Sequence, residues 1–199
     1  MSYFPLIYGA NVYLLVFLVA ISFWILTEIV GGVIIPRIKR KENRIRELKH
    51  GLNFTTWLGW EVLLVFTIAT SSLRLFLLPD YAYLAGVFLL LSGVGIRQWA
   101  VAVLGKYFSQ VVGIQKDQRV VDTGPYSYVR HPSYTGILLI QIGIALSFQN
   151  WAAVPVVIIS FGLAYGHRIL KEEEFLVENI GEDYRKYMEK TKRIIPFIV

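Results

Sequence analysis

Cysteine is missing altogether from the 199-residue chain. That excludes disulfides and thiolate metal sites and leaves the redox compartment unmarked. Histidine is scarce, three residues in all. None has the spacing of a zinc site or completes a Ser-His-Asp arrangement, so no metal is expected. Charge is thin: charged residues make up 17% and hydrophobic ones 55%, above the roughly 45–50% apolar content of soluble domains. A soluble globular protein is thereby disfavoured. The N-terminal stretch MSYFPLIYGANVY has neither a basic region nor a small-residue cleavage pattern. The first apolar run therefore reads as a retained span and not as a signal peptide. No strand precedes Ser92-Gly93-Val94-Gly95, so these glycines read as close helix packing inside the membrane and not as a nucleotide-binding turn.

Five apolar runs are legible, at 6–35, 57–78, 81–104, 133–148 and 151–167, near or above the ~20 residues that cross a ~30 Å hydrocarbon layer. The last two are short and form a hairpin. The expected fold is an all-α polytopic membrane bundle of about five transmembrane helices. Its first part, 1–104, holds three spans and a basic loop at 36–56. Its second part, 105–199, holds a loop at 105–132, a helical hairpin at 133–167 and a charged, amphipathic tail at 168–199.

The 20 Lys and Arg residues are one-sided. Seven lie in 36–50, four in 105–132 and seven from Arg168 on; only Arg74 and Arg97 fall inside spans. The turns around Asp80 and Asn150 carry none. By the positive-inside rule the N-terminus is outside, and the basic loops and C-terminal tail are cytoplasmic. The net charge of +6 then faces anionic membrane lipids and not nucleic acid.

Ionisable side chains within spans are expensive and mark function by default. With this orientation Glu28, Glu61, Arg97, His167 and Arg168 all lie in the cytoplasmic half. Glu28, Glu61 and Arg97 have two readings, mutual pairing or snorkelling on one hand and a polar site on the other. Arg74 lies near the outer interface, where snorkelling explains it. Arg130 and His131 stand just before Pro132, which suits the first turn of a helix. They therefore sit at a helix N-terminus that favours an anion, unless Arg130 is only an interfacial anchor. Arg168 and Glu172 are four apart and share a helix face. Tyr184 and Tyr187 share one too, facing either a pocket or the membrane interface.

Over residues 105–199 the order FSQVV, VVDTGPYSYVRHPSYTG, a short helical hairpin, KEEE and GEDYRKYMEKTKRIIPFI resembles the isoprenylcysteine carboxyl methyltransferase family, in the short five-span form of its prokaryotic branch. The resemblance implies a membrane enzyme that moves a methyl group from S-adenosyl-L-methionine to the carboxylate of a prenylated cysteine or similar lipid acid. It implies that Gln118, Arg119, Val120, Val121 and Tyr126 line the cofactor with His131, Pro132, Ser133 and Tyr134. Glu172 would hold a polar part of it. Arg168 would steer the substrate carboxylate, with Arg130 as the second catalytic cation. Glu28, Glu61 and Arg97 are the candidates on the acceptor side. Relatives commonly carry a His before a Leu-Val pair where this chain reads Gln118-Arg119-Val120-Val121.

The chemistry agrees with that implication. A carboxylate is ionised at pH 7, so methyl transfer to it needs no strong base, only alignment and desolvation. Other acceptors and reactions stay open: a phospholipid or other amine, a sterol-reductase-like enzyme using NADPH, or a small transporter. An amine would need deprotonation and sits poorly beside Arg168. A pore would spread polar residues through the whole bilayer depth, whereas here they gather on one side.

Overall fold

The computed structural model describes residues 11–34, 44–47, 60, 62, 65–70, 73, 76–109, 113–115 and 118–195. Helix α1, Asn11–Thr27, continues into a π-helical stretch, Glu28–Ile34. Helix α2 is Tyr81–Leu104, α3 is Pro132–Ser147, α4 is Ala153–Ile180 and α5 is Glu182–Lys190. α1, α2 and α4 are long and apolar enough to cross a membrane, and α3 is a shorter apolar helix. Their outward Leu, Val and Phe side chains are exposed, as a lipid-facing surface requires. The chain is an integral membrane protein with a helical fold.

The third and fourth expected spans coincide with α2 and α3 to within a residue. Of 57–78, positions 60, 62 and 65–70 are helical. Glu61, Arg74 and positions 35–43 and 48–56 of the basic loop lie outside the described residues. The fifth expected span was too short. The helix runs on past His167, through the shared face of Arg168 and Glu172, to Ile180, so residues 168–180 of the expected tail are the end of α4. Nothing between 167 and 180 breaks a helix. Ile169 and Phe175 are buried along this extension, and Lys171 pairs with Glu174 at 2.7 Å. Gly181, at φ 79°, ends it. The helical expectation also missed a small antiparallel ribbon in which β1, Arg44–Glu47, pairs with β2, Gly113–Gln115.

α2 and α3 pack backbone against backbone. A Cβ on Gly93 would lie 2.6 Å from the Gly136 carbonyl oxygen, and one on Gly136 would lie 2.7 Å from Arg97 Cβ. Close approach by small residues is the usual way membrane helices gain contact without a hydrophobic driving force, and it matches the reading of Gly93. α1 leans on this pair through Ala20, with Leu90, Val94, Ile140 and Ile144 as the buried layer. α4 packs on α3 through Ile137, Phe161, Ala164, Tyr165 and Ile169.

The two turns without Lys or Arg meet at one end of the bundle. Leu78 N–H donates to the Gln149 carbonyl at 2.7 Å, and Gln149 Nε2 donates to Asp80 at 3.0 Å. The charged segments gather at the other end.

Candidate active site

At the charged end the last turns of α2, the segment after it, the first turns of α3, the far half of α4 and helix α5 enclose a cavity of about 480 Å³. α4 supplies Tyr165, Arg168, Glu172, Leu176 and Ile180, a stripe at three- and four-residue spacing that one helix face presents. α3 supplies Ser133, Tyr134 and Ile137, and α5 supplies Tyr184 and Tyr187. α2 supplies Arg97 and Leu104, and the rest comes from the segment between α2 and α3, where Gly124–Ser127 forms a 3-10 turn that buries Tyr126.

Pro132 is the first residue of α3, with His131 at the cap, so Arg130 and His131 do stand at a helix N-terminus. The anion they gather is the chain's own. Glu173, with a side chain 4% exposed, accepts from Arg130 Nε at 2.7 Å, lies 3.3 Å from His131 Nε2, and accepts from Arg193 Nε at 2.9 Å. Arg130 also donates to the main-chain carbonyls of Met188 and Thr191. Arg130 and His131 N–H groups donate to the carbonyls of Lys192 and Arg193 at 2.7 and 2.9 Å. Glu173 therefore ties the start of α3 to the stretch after α5. That brings Tyr184 and Tyr187 over the cavity, where the Tyr187 hydroxyl donates to the Tyr126 carbonyl at 2.7 Å.

Arg168 Nε donates to Tyr134 Oη at 2.7 Å, and Tyr134 Oη donates to Glu172 at 2.8 Å. Deeper in the bundle Arg97 forms a two-pronged ion pair with Glu28, through Nε to Oε1 and through Nη2 to Oε2 at 2.8 Å, and donates from Nη1 to Ser133 Oγ at 2.6 Å. Burial pushes the Tyr126 and Tyr184 hydroxyls well above their usual range, with the nearby Glu172 charge adding to the effect. Burial does the same to Tyr187. All three stay protonated at neutral pH, and all three rings line the cavity.

The structure brings nearly all the residues singled out in the sequence to one place. Gln118, Arg119, Val120, Val121, Tyr126, Arg130, His131, Ser133, Tyr134, Arg168, Glu172 and Arg97 line the cavity. Pro132 is fully buried as the helix start and does not line it. Glu28 stands behind Arg97 as its partner, and Glu61 is outside the described residues. Tyr165 and Glu173 were not singled out. Tyr165 accepts from Trp60 Nε1 at 3.1 Å and shares the face of Arg168 and Glu172, a signal that was available. Glu173 carried none beyond its place in a run of three acids.

The volume lies within the roughly 300–1,000 Å³ of small-molecule pockets. Its lining fits a cationic nucleoside sulfonium: an acid at Glu172 for positive charge, aromatic rings at Tyr126, Tyr184 and Tyr187 for a base, and a cation at Arg168 for an anionic second reactant.

Residues 84–178 match the model of the isoprenylcysteine carboxyl methyltransferase (ICMT) family. Similar chains include the protein-S-isoprenylcysteine O-methyltransferases of Saccharomyces cerevisiae, 32% identical over 67% of this chain and 61% of the relative, and of Xenopus laevis, 30% identical over 76% and 53%. That of Schizosaccharomyces pombe is 33% identical over 53% and 46%. The chain thus spans about half to three fifths of the length of these relatives. Among solved structures, the eukaryotic intramembrane Ras methyltransferase ICMT shares the fold with a TM-score of 0.58 at 24% identity, over 76% of this chain and 55% of that one.

Proposed function

We propose, from the match of residues 84–178 to the isoprenylcysteine carboxyl methyltransferase family, that the chain is a member of it, an S-adenosyl-L-methionine-dependent methyltransferase that esterifies the carboxylate of an isoprenylcysteine or a similar lipid acid. The observation that carries the reading is the meeting of Arg168 and Glu172 on one cavity wall, joined through Tyr134.

Glu172 and the three tyrosines would hold the cofactor, with Gln118 to Val121 and Ser133 along its length. S-adenosyl-L-methionine would supply a methyl group on a sulfonium; as the carboxylate oxygen bonds to that carbon the C–S electron pair stays on sulfur, giving a neutral thioether and an ester with no proton moved. Arg168 orients the acceptor carboxylate by a charge-assisted hydrogen bond. Arg130 is reassigned from a catalytic cation to a positioning residue, since its Nε donates to Glu173 and its Nη1 to the carbonyls of Met188 and Thr191. Arg97, held by Glu28 and Ser133, gives the deep wall of the cavity a fixed polar boundary. A greasy acceptor reaches this end of the bundle from the bilayer and the cofactor reaches it from the cytoplasm.

Radiolabelled methyl transfer by purified protein, against prenylated cysteines, other isoprenoid acids and a total lipid extract, tests the reading. Base-labile label on a carboxylic acid is expected. Label only on amines, or stabilisation by NADPH and not by S-adenosylhomocysteine, contradicts it.

A further inference from the structure

Tyr134 stands between two charged groups of the cavity, Arg168 and Glu172, and its hydroxyl is bonded to both. It accepts from Arg168 Nε at 2.7 Å and donates to Glu172 Oε2 at 2.8 Å. The ring is held without help from the hydroxyl. It stacks on His131 at 5.5 Å between centroids and 24° between planes, and it meets Tyr165 at 5.4 Å. The Arg168 guanidinium lies 5.9 Å from its centroid. Arg168, Tyr134 and Glu172 all line the cavity. One oxygen and one proton thus serve a cation and an anion in series, and hydrogen bonds in series polarise one another where water is scarce.

We propose that Tyr134 is a positioning residue that couples the two reactants: a cationic methyl donor at Glu172 raises the affinity of Arg168 for the acceptor carboxylate. This rests on the methyl-transfer reading above. The negative charge of Glu172 draws the Tyr134 proton and enriches the oxygen that Arg168 holds. A cation docked at Glu172 offsets that charge. The Tyr134 oxygen then holds the guanidinium less firmly, and more of the Arg168 charge is left to a carboxylate. Coupling between sites is reciprocal, so the acceptor tightens the donor by the same factor. Methyl transfer turns sulfonium and carboxylate into a neutral thioether and a neutral ester. Both charges that sustain the coupling vanish in one step, which favours release of the product pair.

The test is calorimetric binding of sinefungin, a donor analogue carrying an ammonium where the cofactor has its sulfonium, and of neutral S-adenosylhomocysteine. Each is measured with and without saturating N-acetyl-S-farnesylcysteine. In the wild-type protein the acid is expected to tighten sinefungin about tenfold, inside the roughly 5–150-fold span of coupled sites, and the neutral ligand by less than about twofold. Tyr134→Phe keeps the ring and removes the bridge. It is expected to lose the tightening whatever its affinity for sinefungin alone, with acceptor KM rising more than kcat falls. Arg168→Lys keeps a cation without the guanidinium fork and is expected to lose the tightening as well. Tightening that survives Tyr134→Phe overturns the proposal, since the coupling is read as the ratio of sinefungin affinities with and without the acid. A wild-type protein that binds none of the three compounds contradicts the methyl-transfer reading, and the coupling with it.

Discussion

Glu172, Glu173 and Glu174 are chemically identical neighbours with three different fates. Successive residues on a helix point about 100° apart. Glu172 therefore reaches Tyr134 at the cavity, Glu173 is buried against Arg130, His131 and Arg193, and Glu174 lies exposed beside Lys171. Substitution should separate them. Glu173→Gln leaves the buried Arg130 guanidinium without its counter-charge. It is expected to destabilise the protein by on the order of 3 kcal/mol, while Glu174→Gln stays within about 0.5 kcal/mol; thermal unfolding in detergent reads the difference. Arg168→Ala should abolish turnover and leave S-adenosylhomocysteine binding within a few fold, and Glu172→Ala should weaken that binding itself. Paired turnover and equilibrium-binding measurements check both, and cofactor loss confined to the Arg168 variant would reverse the two roles. The shared face of Arg168 and Glu172 was legible from a spacing of four. The burial of Glu173 was not, because its partners stand 43 and 42 residues before it and 20 after it in the chain. Sequence spacing carries no sign of such contacts.

At the scale of the helix, the glycines of α2 and α3 set where Arg97 and Ser133 meet. A methyl group on Gly136 would press on Arg97 Cβ at 2.7 Å and on the Gly93 carbonyl oxygen at 2.7 Å. Both helices would have to part. Gly136→Ala is therefore expected to cost about 1–3 kcal/mol, the usual penalty of overpacking, and to lower turnover by displacing the Arg97–Ser133 contact. A methyl group on Gly162 of α4 would meet nothing within 4 Å, and Gly162→Ala should leave both quantities near wild type. Unfolding temperature and turnover of the two variants give the comparison. α2 was readable to the residue because Pro79-Asp80 begins it and an apolar run fills it. The apolar run marks where α4 leaves the bilayer, near His167, but not where the helix ends, which only Gly181 decides. A helix that leaves the bilayer loses its lipid contacts, not its hydrogen bonds, and its amphipathic far half docks on the cavity.

For the whole molecule, the distribution of Lys and Arg led to two ends of unlike character, and the structure has them. The turn at Asp80 is hydrogen-bonded to the turn at Gln149 and Asn150 at one end, and the cavity with α5 is at the other. Which end faces the cytoplasm rests on the positive-inside rule. The absence of cysteine makes this directly measurable by introduced thiols. Tyr81→Cys, at a residue 73% exposed, is expected to react with a membrane-impermeant maleimide in intact cells. Lys190→Cys should react only after permeabilisation, and the opposite pattern would invert the topology. The C-terminal half was legible as a site because its motifs are polar residues at fixed spacing. The first half offered only hydrophobic runs, which state that a helix crosses the membrane without stating what it packs on; the Glu28–Arg97 pairing was thus one of two open readings. The central claim is that a cationic methyl donor and a lipid carboxylate meet in one cavity between Arg130–Tyr134 and Arg168–Glu174. Its most direct test is an experimental structure in lipid with S-adenosylhomocysteine and N-acetyl-S-farnesylcysteine bound together. The account predicts the thioether sulfur and the carboxylate facing each other inside this cavity, with the carboxylate on Arg168; either ligand bound elsewhere, or the two on opposite faces of α4, would contradict it.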